Sequence, residues 1–346
     1  MNVSEFKARL KSGKVNGWYI ISGEEEYLKR YYKNEIKKAL IPEDDPFALF
    51  NHSVFDGGLD FDIMAFIEAV KSPPMMSDAK VIEWNFADLS HLKEKELAAL
   101  SDLAASKEDY PYATVIISAL PDGFDIGTPK KPTKVYKTLS EVFDVLNFEK
   151  STDAQLITWI QKHFSVCGLE AKREAASSLI MRVGHSMQTL SLEIDKLVAY
   201  AKAHSRGEIT VNDVNEICSS TIESEAFAIS NAIIEKNTEK AFLALADMKM
   251  QRVDPGQILA QLSKTYADLM SVALFTEEGK SAQDTAAIMK FHPYKLGLYM
   301  SAAKKLGTEK IAASLASLIK TDASSKSGGI SGYEAVEFFI TQNIGR

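Results

Sequence analysis

Cysteine is scarce in this chain: 346 residues contain two, Cys167 and Cys218. Two thiols without nearby histidine partners cannot make a four-ligand zinc site. Each lies in an apolar helical context, so each reads as a small buried hydrophobe. The six histidines, His52, His91, His163, His185, His204 and His292, are scattered without metal-ligand spacing, which leaves them surface or capping roles. No apolar run approaches the roughly 20 residues of a membrane span. Residues 1–14 alternate charged and apolar side chains and lack the apolar core of a signal peptide, so the expectation is a cytoplasmic protein with no membrane partner. No Gly-x-Ser-x-Gly nucleophile elbow is present, and no repeat of 34 or 40 residues marks a helical solenoid. A broad basic face is also missing. Net charge is −7, and nearly all of the acidic excess falls in residues 1–150. Any contact with DNA would be local or shared with partner chains.

What is present divides the chain in three. Residues 1–150 alternate short apolar, partly β-branched runs (17–22, around 52–55, 80–84, 114–118, 142–148) with helical patterns (25–40, 62–70, 93–105, 133–139). That alternation predicts a mostly parallel sheet covered by helices on both faces. Residues 121–132, rich in proline, glycine and lysine, read as an exposed loop. From Ser151 the strand signal disappears. Ser151-Thr152-Asp153 starts a helix, and helical patterns at 156–167, 172–183, 186–203 and 211–219 make a small lid over 151–220. Residues 221–346 are helical again, at 226–235, 238–250, 255–277, 281–289, 293–305, 308–322 and 332–344. The fold class is therefore α/β plus all-α: an AAA+-like N-terminal parallel-sheet domain, a small helical lid domain and a larger C-terminal helical domain.

A sheet followed by a helical lid is the layout of AAA+ ATPase modules, and their chemistry can be sought residue by residue. Trp18-Tyr19-Ile20-Ile21-Ser22-Gly23 reads as a buried strand turning into a helix, where a P-loop would stand. A P-loop needs several glycines and then Lys-Ser/Thr to hold phosphates and magnesium. Here Gly23 is followed by Glu24, Glu25 and Glu26, which suit a helix N-terminus but repel a triphosphate. The strand beginning at Lys80 should end in Asp-Glu; it ends in Asn85-Phe86, and phenylalanine neither binds metal nor polarises water. The lid turn Gly184-His185-Ser186-Met187-Gln188-Thr189-Leu190 lacks an arginine, and no Ser-Arg-Cys follows the last strand of the sheet. These losses predict a non-functional nucleotide site at Gly23, Glu24, Glu25, Asn85 and Phe86, with no cofactor, no metal and no catalytic residue.

Several motifs, in order, resemble one family. Gly23-Glu24-Glu25-Glu26-Tyr27-Leu28 is similar to the opening Gly-Glu-Glu-x-Tyr-Leu of the delta subunits of the bacterial DNA polymerase III clamp loader. The stretch from Ser72-Pro73-Pro74-Met75-Met76-Ser77-Asp78 to Ile82 resembles that family's Thr/Ser-x-Pro-Leu-Phe-Ser-Asp segment. Leu192-Glu193-Ile194-Asp195-Lys196-Leu197 resembles its lid helix, and Phe227 to Ala232, Gly279-Lys280-Ser281, His292-Pro293-Tyr294 and Asp322 to Gly328 follow its third domain. The resemblance implies a holoenzyme subunit without catalysis of its own, classed with the DNA-directed DNA polymerase (a nucleotidyltransferase). It implies three domains, 1–150, 151–220 and 221–346, the last of which forms a C-terminal helical collar in that family. It further implies that the subunit binds and opens the ring-shaped sliding clamp (the beta subunit) for loading onto primed DNA. ATP would be bound by other subunits; gamma/tau and delta-prime would be met through residues 221–346, and primer-template DNA within the complex.

In that family a Leu-Phe pair at a helix-to-loop turn enters the clamp; the matching positions here are Met75 and Met76, after Pro73 and Pro74. The prolines stiffen the turn, and methionine suits adaptable binding surfaces. Losing the aromatic anchor either weakens the contact or shifts weight onto neighbouring ones. The residues alone leave two readings open, interior packing or presentation to a partner; with the resemblance, clamp contact is the expectation. The run Lys130, Lys131, Lys134 and Lys137 reads first as a solvated loop and second as a contact to DNA phosphates, and Lys320 to Lys326 as a face toward partner subunits or DNA. The competing functions are an active AAA+ ATPase, another loader subunit of the delta-prime kind, and a helical scaffold unrelated to replication.

Overall fold

The computed structural model describes residues 3–42, 44–57, 61–128, 130–330 and 332–344. The chain divides into two compact units, residues 1–151 and 152–346. The first unit opens with α1 (Val3–Lys11), β1 (Trp18–Ser22) and α2 (Glu26–Leu40). It continues through β2 (His52–Asp56), α3 (Ile63–Lys71), β3 (Lys80–Ala87), α4 (Glu94–Ala105) and β4 (Ala113–Ala119). A two-residue hairpin, β5 (Gly127–Thr128) and β6 (Lys131–Pro132), precedes α5 (Lys134–Ser140) and β7 (Asp144–Asn147). Five strands form one parallel sheet in the order β2-β3-β4-β1-β7.

β1 lies fourth in this order, between β4 and β7, and all five of its residues are buried. Because side chains alternate across a strand, its residues supply two separate cores. Trp18 and Ile20 join Ile82, Trp84, Val115 and Ile117 beneath Phe66 and Val70 of α3 and Leu100 and Leu103 of α4. Tyr19 and Ile21 join Val81, Ile116 and Leu146 beneath Phe6 of α1 and Tyr32 and Ile36 of α2. Rings pack edge to face, Phe6 on Tyr19 at 5.7 Å and on Tyr32 at 5.6 Å, while Tyr32 stacks on Phe148 at 5.2 Å. The segment 121–132 departs from the expected exposed loop. Phe124 is buried in the first of these cores, and Thr133 caps α5 while its hydroxyl donates to Asp125 O at 2.6 Å.

The second unit starts with α6 (Asp153–Val166), β8 (Glu170–Ala171), α7 (Arg173–Val183), α8 (Met187–Ala203), β9 (Glu208–Ile209) and α9 (Val211–Ile217). β8 and β9 pair in parallel, a short ladder that the sequence signal missed because each strand has two residues. Then follow α10 (Ile222–Ile234), α11 (Thr238–Met250), α12 (Pro255–Glu277), α13 (Ala282–Met289), α14 (Pro293–Leu306), α15 (Thr308–Lys326) and α16 (Tyr333–Ile344). Side chains of Thr152, Thr210, Thr221, Asn237, Asp254, Ser281 and His292 cap the helices they precede, which is why the helix starts were legible. α12 is the hub and packs on α10, α14, α15 and α16. Its Tyr266 meets Phe339 of α16 edge to face at 5.8 Å, and nearby Phe227 stacks on Tyr299 at 4.7 Å. Of the two cysteines only Cys218 is buried; Cys167 ends α6 half-exposed, contrary to the expectation for it. Among the described residues, no helix is long and apolar enough to cross a membrane.

His185 and Asp153 form an ion pair in this unit, with Nε2 and Oδ1 2.8 Å apart. The hydrogen bond to Asp153 holds the His185 imidazole above its ordinary pKa. The same bond holds the Asp153 carboxyl below its own, against partial burial. The charged pair therefore stabilises the fold fully below the ordinary histidine value of about 6.5, and that contribution is lost as pH rises through the raised His185 value. At the acid end it is lost as pH falls through the lowered Asp153 value. His185→Ala should lower the melting temperature more at about pH 5.5 than at about pH 8.5. The effect is modest because His185 is largely exposed. Equal shifts at both pH values would contradict this account.

Candidate functional site

In a parallel sheet a nucleotide would sit at the carboxyl ends of the strands. A crevice of about 640 Å³ lies there, between Gly23 and Glu24 after β1, Pro121 to Ile126 after β4, and Asn147 to Lys150 after β7. Its lining carries four carboxylates, Glu24, Asp122, Asp125 and Glu149, against one cation, Lys150, which itself pairs with Glu24 at 3.2 Å. Two amides of the turn have backbone partners: Glu25 N donates to Phe148 O at 2.9 Å and Glu26 N to Glu24 O at 3.1 Å, while Phe148 N donates to Ser22 O at 2.8 Å. Gly23 has φ +100°, and a Cβ there would stand 2.2 Å from Phe148 O. Only glycine lets the two backbones meet at this position. Glu25 is partly buried, and that burial raises its carboxyl pKa.

Beneath this turn, Lys29 of α2 is fully buried. Its Nζ donates to Ala119 O at 2.8 Å and pairs with Glu26 at 2.6 Å. A lysine on a helix ordinarily reads as surface. The signal was its spacing three and seven residues before Tyr32 and Ile36, which puts it on the buried stripe.

Asn85 and Phe86 do not line the crevice. They close β3 at an irregularity between Trp84 and Ala87, where Phe86 takes φ +54° and is 60% exposed. Asn85 accepts from Lys33 Nζ at 2.6 Å and donates to Asp56 at 3.2 Å. Buried Glu83 binds Lys33 at 2.9 Å and His52 at 2.8 Å. Burial pushes the Glu83 carboxyl up, but the hydrogen bonds from His52 and Lys33 outweigh it and hold the group below the usual carboxylate range. The cations at the end of this strand are thus used internally. In the second unit the arginine nearest the turn 184–190, Arg182, donates from Nε to Cys218 O at 2.8 Å and lies 4.0 Å from Glu225.

The Pro73–Met76 turn is built differently. Asp62 caps α3, and Ser72 ends it with Oγ donating to Glu68 O at 2.7 Å. Tyr112 OH donates to Lys71 O at 2.6 Å and pins the helix end. Beyond it Met75 is 47% and Met76 79% exposed, so neither packs in the interior. Met76 adopts φ +52°, unusual for a residue with a side chain. Asn51, which the sequence reading did not single out, explains the turn. It is fully buried, accepts from Met75 N at 2.7 Å and donates to Met75 O at 2.9 Å. One side-chain amide thus satisfies both backbone groups of Met75. An asparagine directly before a strand was the available signal, too common to act on. This turn leads into β3 and Asn51 leads into β2, so both lie at the amino end of the parallel sheet, opposite the crevice.

Comparison with known proteins gives a consistent result. The family model for DNA polymerase III, delta subunit matches residues 19–148, and the one for the C-terminal domain of that subunit matches 223–343. The chain is 26% identical over 346 residues to DNA polymerase III subunit delta of Bacillus subtilis, covering 97% of this chain and 95% of that protein. It is 22% identical over 340 residues to the probable DNA polymerase III subunit delta of Aquifex aeolicus, covering 95% and 91%. Among solved structures, the Bacillus subtilis DNA clamp loader delta protein shares the fold with a TM-score of 0.59 at 22% identity, over 99% of this chain and 100% of that one.

Gly23→Ala tests the junction. The added methyl must move the Phe148 carbonyl while the backbone stays left-handed, and the expected cost is roughly 3 kcal/mol in a urea melt. Unchanged stability would mean the Gly23–Phe148 approach does not hold the sheet together.

Proposed function

The chain belongs to the DNA polymerase III delta-subunit family, and on that premise we propose that it binds the sliding clamp and opens it without hydrolysing ATP itself. The observation that carries this reading is the Pro73–Met76 turn: two adjacent apolar side chains held outward on a backbone fixed by a buried asparagine. Fixing the turn before binding lowers the ordering cost of docking, which is how a small contact gains affinity. The acidic crevice, with Glu25 N donated to Phe148 O, supports a subunit whose ATP is bound elsewhere in the loader.

In this reading Pro73, Pro74, Met75 and Met76 form the clamp contact, and Gly23, Glu24, Glu25, Asn85 and Phe86 are structural remnants of a nucleotide site. Residues 1–150, 151–220 and 221–346 act as the α/β domain, lid and collar. The collar meets the gamma/tau and delta-prime subunits and brings the chain to primer-template DNA in the cytoplasm. Apolar side chains left exposed on the helices of 221–346, among them Leu243, Met250, Ile319 and Phe338, suit such subunit contacts.

The test is clamp binding by the lone chain. It should capture its cognate clamp without nucleotide, and ATP should leave its melting temperature unchanged, since a ligand that binds the native state raises it. The double variant Met75→Ser with Met76→Ser should weaken clamp binding about a hundredfold, the loss expected for two anchors of roughly 1.4 kcal/mol each. Its melting temperature should stay at the wild-type value, because both side chains are exposed. Wild-type affinity in the double variant would remove the turn from the clamp contact, and saturable stabilisation by ATP would restore the ATPase reading.

A further inference from the structure

Two more apolar side chains stand exposed beside this turn. Leu49 is 91% and Phe50 62% exposed, on the turn that ends at Asn51. The turn is internally bonded. Phe47 N donates to Asp45 Oδ1 at 2.8 Å, Phe50 N to Phe47 O at 2.9 Å and Asn51 N to Phe47 O at 3.2 Å. Val81 N then donates to Asn51 O at 2.8 Å and ties the same residue to the sheet. Leu49 and Phe50 are therefore exposed on an ordered backbone. Asn51 is one residue from Phe50 and is hydrogen-bonded through its side chain to both backbone groups of Met75. With consecutive Cα atoms about 3.8 Å apart, the Cα atoms of Phe50 and Met75 lie within roughly 12 Å of each other. Exposed apolar side chains gathered on neighbouring turns mark interaction surfaces.

We propose that the turn 44–51 is the second half of the clamp-docking surface, with Phe50 as its aromatic anchor and Asn51 as the positioning residue that joins it to Met75 and Met76. The inference rests on the reading of Met75 and Met76 as a clamp contact and extends that contact by continuity. The two pairs have complementary properties. Methionines adapt to a pocket but define its shape poorly, whereas a phenylalanine ring is large, has two rotatable bonds and fixes a register. Charge around the surface is mixed: residues 44–50 and 72–79 contain Asp44, Asp45 and Asp78, and exposed Lys71 flanks them. The face on the clamp that receives it is an apolar pocket.

Binding to immobilised cognate clamp separates the possibilities. Phe50→Ala should weaken binding at least tenfold at an unchanged melting temperature. Phe86→Ala, which removes an equally exposed ring at the other end of the sheet, should keep wild-type affinity. Loss of binding in the Met75/Met76 double variant with wild-type affinity in Phe50→Ala would overturn the two-turn surface and leave the Met75–Met76 contact standing. Wild-type affinity in both would overturn the contact itself, and the inference with it. An equal loss in Phe86→Ala would mark the effect as non-specific and would also overturn the assignment.

Discussion

The backbone of Phe148 passes close enough to Gly23 that no side chain fits between them, and the first unit is organised around that approach. Phe148 N caps the end of β1 through Ser22 O, and Phe148 O receives the amide of Glu25 at the start of α2. β7 is thereby held against β1, whose two faces supply both cores of the sheet. The same contact engages Glu25 N, one of the amides at the start of α2 where an anion would be met. An N–H donated to a carbonyl is not offered to a ligand.

Four carboxylates stand around the crevice, and one of them, Glu24, lies just before α2. A carboxylate at a helix N-terminus is favourable to the helix and repels an anion. At the end of β3, the Lys33, Glu83, His52 and Asn85 network ties each charge to a partner. The carboxyl end of the sheet has become an internally satisfied edge.

The amino end carries the opposite balance. There Asn51, buried and doubly hydrogen-bonded, replaces what would be a piece of β-ladder and lets the chain leave and re-enter the sheet with apolar side chains outward. A buried amide that lost its partner would carry the full desolvation cost, so the turn conformation is strongly specified. Exposure of Met75 and Met76 is therefore enforced by hydrogen bonding elsewhere. That separates display from flexibility: the backbone is fixed while the methionine side chains stay adaptable.

Much of the architecture was legible in the sequence, because local rules govern it. Short apolar runs alternating with capped helical patterns placed all five strands of the sheet, and Thr152, Asp254 with Pro255, and Ser281 announced their helices directly. The weak points were also physical. The two-residue strands β8 and β9 are too short to have a period, and Phe124 packs into the core from a segment whose composition is that of a surface loop. The candidate site divides along the same line. The residues themselves determined that Gly23 to Glu25 and Asn85-Phe86 lack the groups for phosphate and metal, and the family resemblance put Met75 and Met76 on a turn. Only the tertiary structure decided that Asn85 and Phe86 stand apart from the crevice, that Lys29 is buried, and that Asn51, 24 residues away in sequence, holds Met75. Those facts depend on which distant backbones a polar side chain can reach, and no local pattern of residues encodes that distance.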